Sequence, residues 1–290
     1  MKIKILKSLE NLLNKKKILK SRLLSSSFNI NCFKIRTEDN KNYIIKFYEK
    51  KNYFFNAINA ETKNLIYFNK KKVNIFPKVI NYNDEMLISE FIEHNNIKPK
   101  KINMDFIKLI SSIHLNSGEK YGFNFDTQIG GMQQKNNFEN SWVVFFGEKR
   151  LNDVLEIINK TNPLPKSISK DIELLIKNLH NRIPYNPIPS LLHGDLWDGN
   201  ILFNDEKLVG LIDPGSFFGH NEMEIAYLRW FNPSYIDNNL IEIYNDFIKI
   251  DKSYLSYEKI YQLYYSLMNV LLWDRSYIND VKKLLDKIKI

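Results

Sequence analysis

The chain has 290 residues, 44% hydrophobic and 26% charged. That is enough to bury about three-quarters of the unfolded surface in one large or two modest domains, and it excludes a disordered tail, a fibre or a disulfide scaffold. One cysteine, Cys32, excludes an internal disulfide and a cysteine metal cluster. The net charge is +9, but only six of the 42 basic residues are arginine, the residue that carries most bidentate phosphate and base recognition. Lysine is spread along the whole chain with asparagine and isoleucine, as an AT-rich coding sequence produces, so no nucleic-acid partner is expected.

The first twenty residues are basic, and lysine interrupts each apolar stretch. They lack the secretory core of about 7–15 apolar residues, and no run approaches the roughly 20 needed to span a bilayer. Glu10 and the lack of arginine there also argue against a transit peptide. The expectation is a cytoplasmic protein with no membrane partner. Residues 28–35 and 43–48 are β-prone around the polar 39–42, which predicts a hairpin. Phe54, Ala57, Ile58, Leu65 and Phe68 predict a helix over 53–69. Residues 86–92 read as a strand, 94–99 as a boundary, and the chain from about residue 102 as mostly helical, with short strands at 201–203 and 208–212. All ten glycines lie between Gly118 and Gly219, which places the tight turns and the chemistry in the middle of the chain.

The segment from Leu192 to Asn200 reads LHGDLWDGN, and Asp213-Pro214 follows a predicted strand pair. Asp195, an asparagine five residues on and a second aspartate thirteen beyond it are the types a phosphoryl-transfer loop uses in this order. One Asp takes or orients the proton of an attacking hydroxyl, while Asn200 and Asp213 hold Mg²⁺ against the ATP phosphates. Oxygen donors suit that hard cation. Upstream, Lys46 sits within an apolar strand and Glu61 on the next helix, an arrangement that can form the ion pair of a phosphate-binding lysine. His193 reads as a loop-fixing hydrogen-bond partner, Asp198 as a solvated loop residue, and His220 and Glu222 as braces at a helix N-terminus. Trp142, Phe145 and Phe146 read as core, and His94, His114 and His180 have no metal-ligand spacing, so no zinc is assigned.

HGDLWDGN, with DPGSFFGHNE at 213–222, resembles the fructosamine kinase (ketosamine-3-kinase) family, within the aminoglycoside-phosphotransferase-like and protein-kinase-like group. Gly122-Phe123, Ile129-Gly130, Gln134-Lys135-Asn136, Ser141-Trp142, Phe145-Phe146 and Arg150-Leu151 extend the resemblance, which covers about residues 20–289. The resemblance implies an α+β, bilobal protein kinase-like fold. Its small antiparallel-sheet lobe would span 1–93 and its larger, mainly helical lobe 94–290, with ATP between them. It implies transfer of the γ-phosphoryl of ATP, with Mg²⁺, to the C3 hydroxyl of a ketosamine, free or on a glycated protein. It places Asp195 in catalysis and Asn200 and Asp213 on the metal. Lys46, Glu61, Ser26, Ser27, Asn29, Glu90 and Ile92 fall at ATP, and Trp197 and His193 at the substrate. Two departures stand out. The family's Ser-Gly-Gly-x-Ile-Asn turn reads Ser26-Ser27-Phe28-Asn29-Ile30-Asn31, so the Phe28 ring is expected to hinder approach of the loop amides to phosphate. Asn269 and Trp273-Asp274 stand where the family usually has histidine and Phe-Gly. Two rival readings are another small-molecule kinase of the aminoglycoside or choline type, and a degenerate kinase fold kept as a binding protein.

Overall fold

The structure is a computed structural model that describes residues 3–50 and 54–289. In chain order it opens with α1 (Ile3–Leu12), β1 (Ile18–Ser27), β2 (Ile30–Thr37), β3 (Asn42–Tyr48), α2 (Ala57–Lys70), β4 (Val79–Asn83) and β5 (Met86–Glu90). It continues through α3 (Met104–His114), β6 (Thr127–Ile129), β7 (Met132–Gln134), α4 (Trp142–Phe146), α5 (Asp153–Thr161), α6 (Lys166–Lys177) and β8 (Ser190–Leu191). The last elements are β9 (Ile201–Asn204), β10 (Lys207–Leu211), β11 (Phe218–Gly219), α7 (Asn221–Phe231), α8 (Leu240–Asn245), α9 (Tyr254–Leu272) and α10 (Ile278–Ile288). Contacts divide the chain into two units. The first holds Met1–Ile97, Thr127–Gln133 and Asn200–Gly215, and the second holds the remaining segments. Three stretches that follow the expected cut at 93/94 in sequence, residues 94–97, 127–133 and 200–215, therefore cluster with the first unit.

The first unit is built on an antiparallel sheet ordered β1-β2-β3-β5-β4. Alternation along β3 buries Tyr43, Ile45 and Phe47 on one face, where they pack with Leu9, Leu13, Ile35, Met86 and Ile88. The same period of two turns Lys46 to the opposite face, toward α2. Asn56 caps α2 by accepting the Asn59 amide, and α2 buries Ala57, Ile58, Ala60, Leu65 and Phe68. Residues 51–53 lie outside the described residues, so the start expected for this helix at 53 does too.

The strand expected over 28–35 starts two residues later. Phe28 and Asn29 are the central pair of a two-residue hairpin turn, at φ 49° and 63°, joining β1 to β2 with Ser27 opposite Ile30. Two left-handed residues in succession match the right-handed twist of the flanking strands. Asn suits that role, but Phe does not, and this disguised the turn. β1 itself went unread because nearly all its residues are exposed and no alternation marks them. β5 ends at Glu90, two residues short of the expected strand.

The second unit is mainly helical. Its core holds Trp142, Phe145 and Phe146, all fully buried. The Trp142 indole donates to the Tyr261 hydroxyl on α9 at 2.9 Å, and the same hydroxyl meets His220 Nδ1 at 2.8 Å. Arg150, in a π-helical turn over Gly147–Asn152, is fully buried. Its guanidinium donates to the carbonyls of Lys135 and Lys149 and to Asn136 Oδ1, and lies 4.0 Å from the Phe217 ring centroid. Among the described residues, no helix is long and apolar enough to cross a membrane.

Candidate active site

In the first unit, the Lys46 ammonium stands 2.8 Å from both Glu61 carboxylate oxygens and 2.5 Å from Asp213 Oδ1. Burial acts to lower the Lys46 pKa, but the Asp213 and Glu61 carboxylates outweigh it and hold the lysine above its ordinary range. Burial pushes Glu61 up to about 7, with Asp213 adding to that rise and Lys46 opposing it. The cluster is thus one fixed cation clamped by a buried carboxylate and a second, more accessible one. Cys32 pairs with Lys46 across β2 and β3. Burial pushes its thiol up to about 11, so it is a protonated, inert sulfur at neutral pH.

Asp213 is placed by the β9–β10 hairpin. Ile201 pairs with Leu211, and the Ile212 amide donates to the Asn200 carbonyl at 3.0 Å. Asn200 and Asp213 are thereby carried at the same end of that hairpin. The Asp213 side chain keeps about a third of its surface, and its backbone is left-handed at φ 55°, a conformation that aspartate tolerates better than most residues. Among the described residues no cluster of three His, Cys, Asp or Glu could hold a metal alone. Asn200 and Asp213 instead offer an all-oxygen pair. That fits Mg²⁺, which is usually bound through one or two protein ligands and completed by substrate phosphates and water.

The other residues expected at ATP lie on the first unit as well. Ser26 and Ser27 are exposed at the end of β1. The Asn29 side chain is engaged with Lys50, donating to its carbonyl at 2.6 Å and accepting from its amide at 3.0 Å. Glu90 is exposed, with its carboxylate 3.4 Å from the Lys78 amide. Ile92 lies against Gly210 of β10, where a β-carbon would come within 2.6 Å of Ile92 Cδ1.

In the second unit, His193 is fully buried and its Nδ1 accepts the Asp195 amide at 3.3 Å, so it supports the loop from within. Asp195 is buried. Burial first, and then the Asp195 carboxylate, push the Tyr227 hydroxyl well above its ordinary pKa, so that phenol remains neutral beside the loop. Trp197 folds over Gly199, and a β-carbon there would collide with the indole. Its ring also meets Phe231 edge-on at 6.2 Å. Asp198 is not the solvated residue expected. It is ion-paired with Lys98 and accepts from the Tyr235 hydroxyl at 2.9 Å. His220 precedes α7, and Glu222 in its first turn accepts the Asp251 amide at 2.6 Å and the Tyr257 hydroxyl.

Sequence reasoning passed over Glu224. This fully buried carboxylate accepts the backbone amides of Gly194 at 2.7 Å and His193 at 3.0 Å, and contacts His114 Nε2 at 2.9 Å. His114 Nδ1 in turn meets the Tyr244 hydroxyl at 2.7 Å. Glu224 grips the backbone that carries Asp195. The signal was an acid within an apolar helical stretch, the kind of burial that demands partners.

A family model for fructosamine kinase matches residues 1–290. A protein of Enterococcus faecium named "Probable ketoamine kinase" is 30% identical over 186 residues, 63% of this chain and 65% of that protein. The chain thus spans less than two thirds of that relative's length. Two crystal structures share the fold. A candidate fructosamine-3-kinase from Haemophilus somnus is 25% identical, with a TM-score of 0.83 over 99% of this chain and 97% of that one. Another from Thermobifida fusca is 20% identical, with a TM-score of 0.86 over 98% of each chain.

Proposed function

The chain belongs to the fructosamine kinase family, and from that membership we propose that it is an ATP-dependent kinase that phosphorylates the C3 hydroxyl of ketosamines. These are the adducts formed when a sugar glycates an amine, free or on a protein lysine. The observation that carries the reading is the Lys46 ammonium, fixed by Glu61 and Asp213 at 2.5–2.8 Å. A positive charge immobilised in this way suits the phosphates of a nucleotide. In the proposed reaction the C3 oxygen attacks the γ-phosphorus, the bond to the bridging oxygen of ADP breaks, and the hydroxyl proton passes to the Asp195 carboxylate. Asn200 and Asp213 would hold Mg²⁺, which neutralises phosphate charge when bound. Trp197 offers a ring face to the sugar, and His193 supports the substrate-side loop from beneath. In this family the 3-phosphate destabilises the adduct and the amine is regenerated, which makes the role one of repair.

A coupled ADP-release screen over fructosamines, ribulosamines, aminoglycosides and choline tests the assignment. The expected result is ADP release stimulated by a ketosamine and not by the other two classes. Stimulation by an aminoglycoside or choline alone would overturn it.

The metal arm has its own test. Nucleotide at about 100 times its dissociation constant stabilises a protein by roughly 2.7 kcal/mol. Thermal unfolding of the wild type should show an ATP-induced shift of that order that needs Mg²⁺. Asp213→Ala removes one metal oxygen and one of the two anions on Lys46 while leaving Glu61 in place. It should fold as the wild type does and lose the Mg²⁺-dependent part of the shift. No shift in the wild type at millimolar MgATP would favour the binding-protein reading.

A further inference from the structure

We propose that Phe28 and Gly131 form a clasp that orders the β1–β2 turn by packing, in place of the glycines that this turn lacks. Phe28 is held at φ 49°, a left-handed conformation that a β-carbon disfavours. A bulky residue persists in that region only when its surroundings hold it there. Here the holder is the β6–β7 turn. A β-carbon on Gly131 would stand 2.9 Å from Phe28 Cβ and 3.3 Å from Cγ, so the aromatic residue lies directly on a backbone that glycine alone leaves open. Gly131 is itself at φ 82°, and its amide donates to Gln128 Oε1 at 2.8 Å, which fixes the receiving surface.

The β6–β7 hairpin is a suitable anchor because it is tied to the phosphate-side cluster. Thr127 Oγ1 donates to the Gly215 carbonyl at 3.2 Å, two residues past Asp213, and β6 packs against α2, the helix that carries Glu61. On the other side of the turn, the Glu49 amide donates to the Asn29 carbonyl at 2.8 Å, and the Asn29 side chain is bonded twice to Lys50. The turn is thus pinned on one flank by Asn29 and on the other by Phe28. A glycine turn closes on a ligand through its own freedom. This turn is set beforehand, and Phe28 acts as a positioning residue. The sign is opposite to that expected from the sequence, where the ring obstructs the phosphates.

The test compares Phe28→Gly, Phe28→Leu, Gly131→Ala and the double variant Phe28→Gly/Gly131→Ala in the full chain. Its kinetic arm rests on the proposed kinase reading, while amide hydrogen exchange over residues 26–31 without nucleotide does not. With the clasp removed, Phe28→Gly should exchange about fivefold faster in this turn, because the lost ring contact and the added backbone freedom outweigh the strain that glycine relieves at this φ. The same variant should raise the ATP KM by about fivefold with kcat changed by less than about twofold. Phe28→Leu should restore most of both. Gly131→Ala should reproduce the Phe28→Gly effect, and the double variant should add little to either single one, the mark of a shared contact. A lower ATP KM in Phe28→Gly, unchanged exchange, or fully additive effects would each overturn the clasp. Failure of the wild type to turn over any ketosamine would remove the kinase reading and leave the exchange comparison to decide the clasp alone.

Discussion

Replacing Asp195 by asparagine should lower kcat by about 10²-fold or more, the scale of a lost general base, with little change in ATP binding. Asparagine keeps the size of the side chain, and the bond from the residue 195 amide to His193 Nδ1 is made by the backbone, so the loop retains its support. What disappears is the carboxylate that, in the proposed reaction, accepts the hydroxyl proton as the oxygen bonds to phosphorus. The nearby Tyr227 phenol cannot replace it, because burial, the largest cause of its raised pKa and one that the substitution leaves in place, keeps that hydroxyl neutral. In the proposed reading nucleotide binding rests on Lys46, Glu61 and Asp213, which the substitution leaves untouched, so the ATP-induced thermal shift should persist. The measurement is single-turnover phosphoryl transfer to a ketosamine beside the thermal shift. Turnover within a few-fold of the wild type would remove Asp195 from the proton-transfer role.

The parts that the sequence disclosed are those fixed by short-range chemistry. A lysine within the apolar run that became β3, and a glutamate on the helix that follows it, marked Lys46 and Glu61 as a pair, and the two side chains meet at 2.8 Å. Polar residues between two β-prone runs announced the β2–β3 hairpin, with Ile35 opposite Tyr43. Hidden were the features set by long-range partners. Asp198 looked solvated because neither Lys98, a hundred residues earlier, nor Tyr235 is near it in sequence. β1 carries no burial pattern, since its ladder with β2 supplies the pairing that its side chains do not advertise. Residues 127–133 read as part of the later, helical region, yet they cluster with the first unit, where Thr127 reaches Gly215 and Gly131 receives Phe28. Motif spacing says which residues act together. It is silent on the side chains that hold their backbone.

Glu224 is such a residue, and its replacement should have the second large effect. Glu224→Ala leaves two buried amides and His114 without their acceptor, and breaking a buried charged contact from one side costs about 3–5 kcal/mol of a total stability near 5–15 kcal/mol. That variant tests the fold. Glu224→Gln tests the loop, because it keeps the volume but turns one acceptor oxygen into a donor facing N–H groups that also donate. One of the bonds to His193, Gly194 or His114 must then be lost. A displacement of the backbone under Asp195 by about 1 Å can cost about 10²-fold in rate, so kcat should fall on that scale while the ATP KM stays near the wild-type value. The carboxylate also sets a pH dependence. Burial works to raise the Glu224 pKa, but the hydrogen bond and charge of His114, with the loop amides, hold it below the ordinary glutamate value. A carboxyl whose folded pKa lies below its unfolded one stabilises the fold fully above the unfolded value of about 4.3, and that contribution is lost as pH falls through the folded value. Thermal unfolding from pH 7 downward should therefore show the wild type losing an acid-sensitive increment of stability that Glu224→Gln lacks. Parallel stability curves for the two proteins, together with an unchanged kcat in Glu224→Gln, would show that the loop amides find their acceptor elsewhere and that Glu224 does not position Asp195.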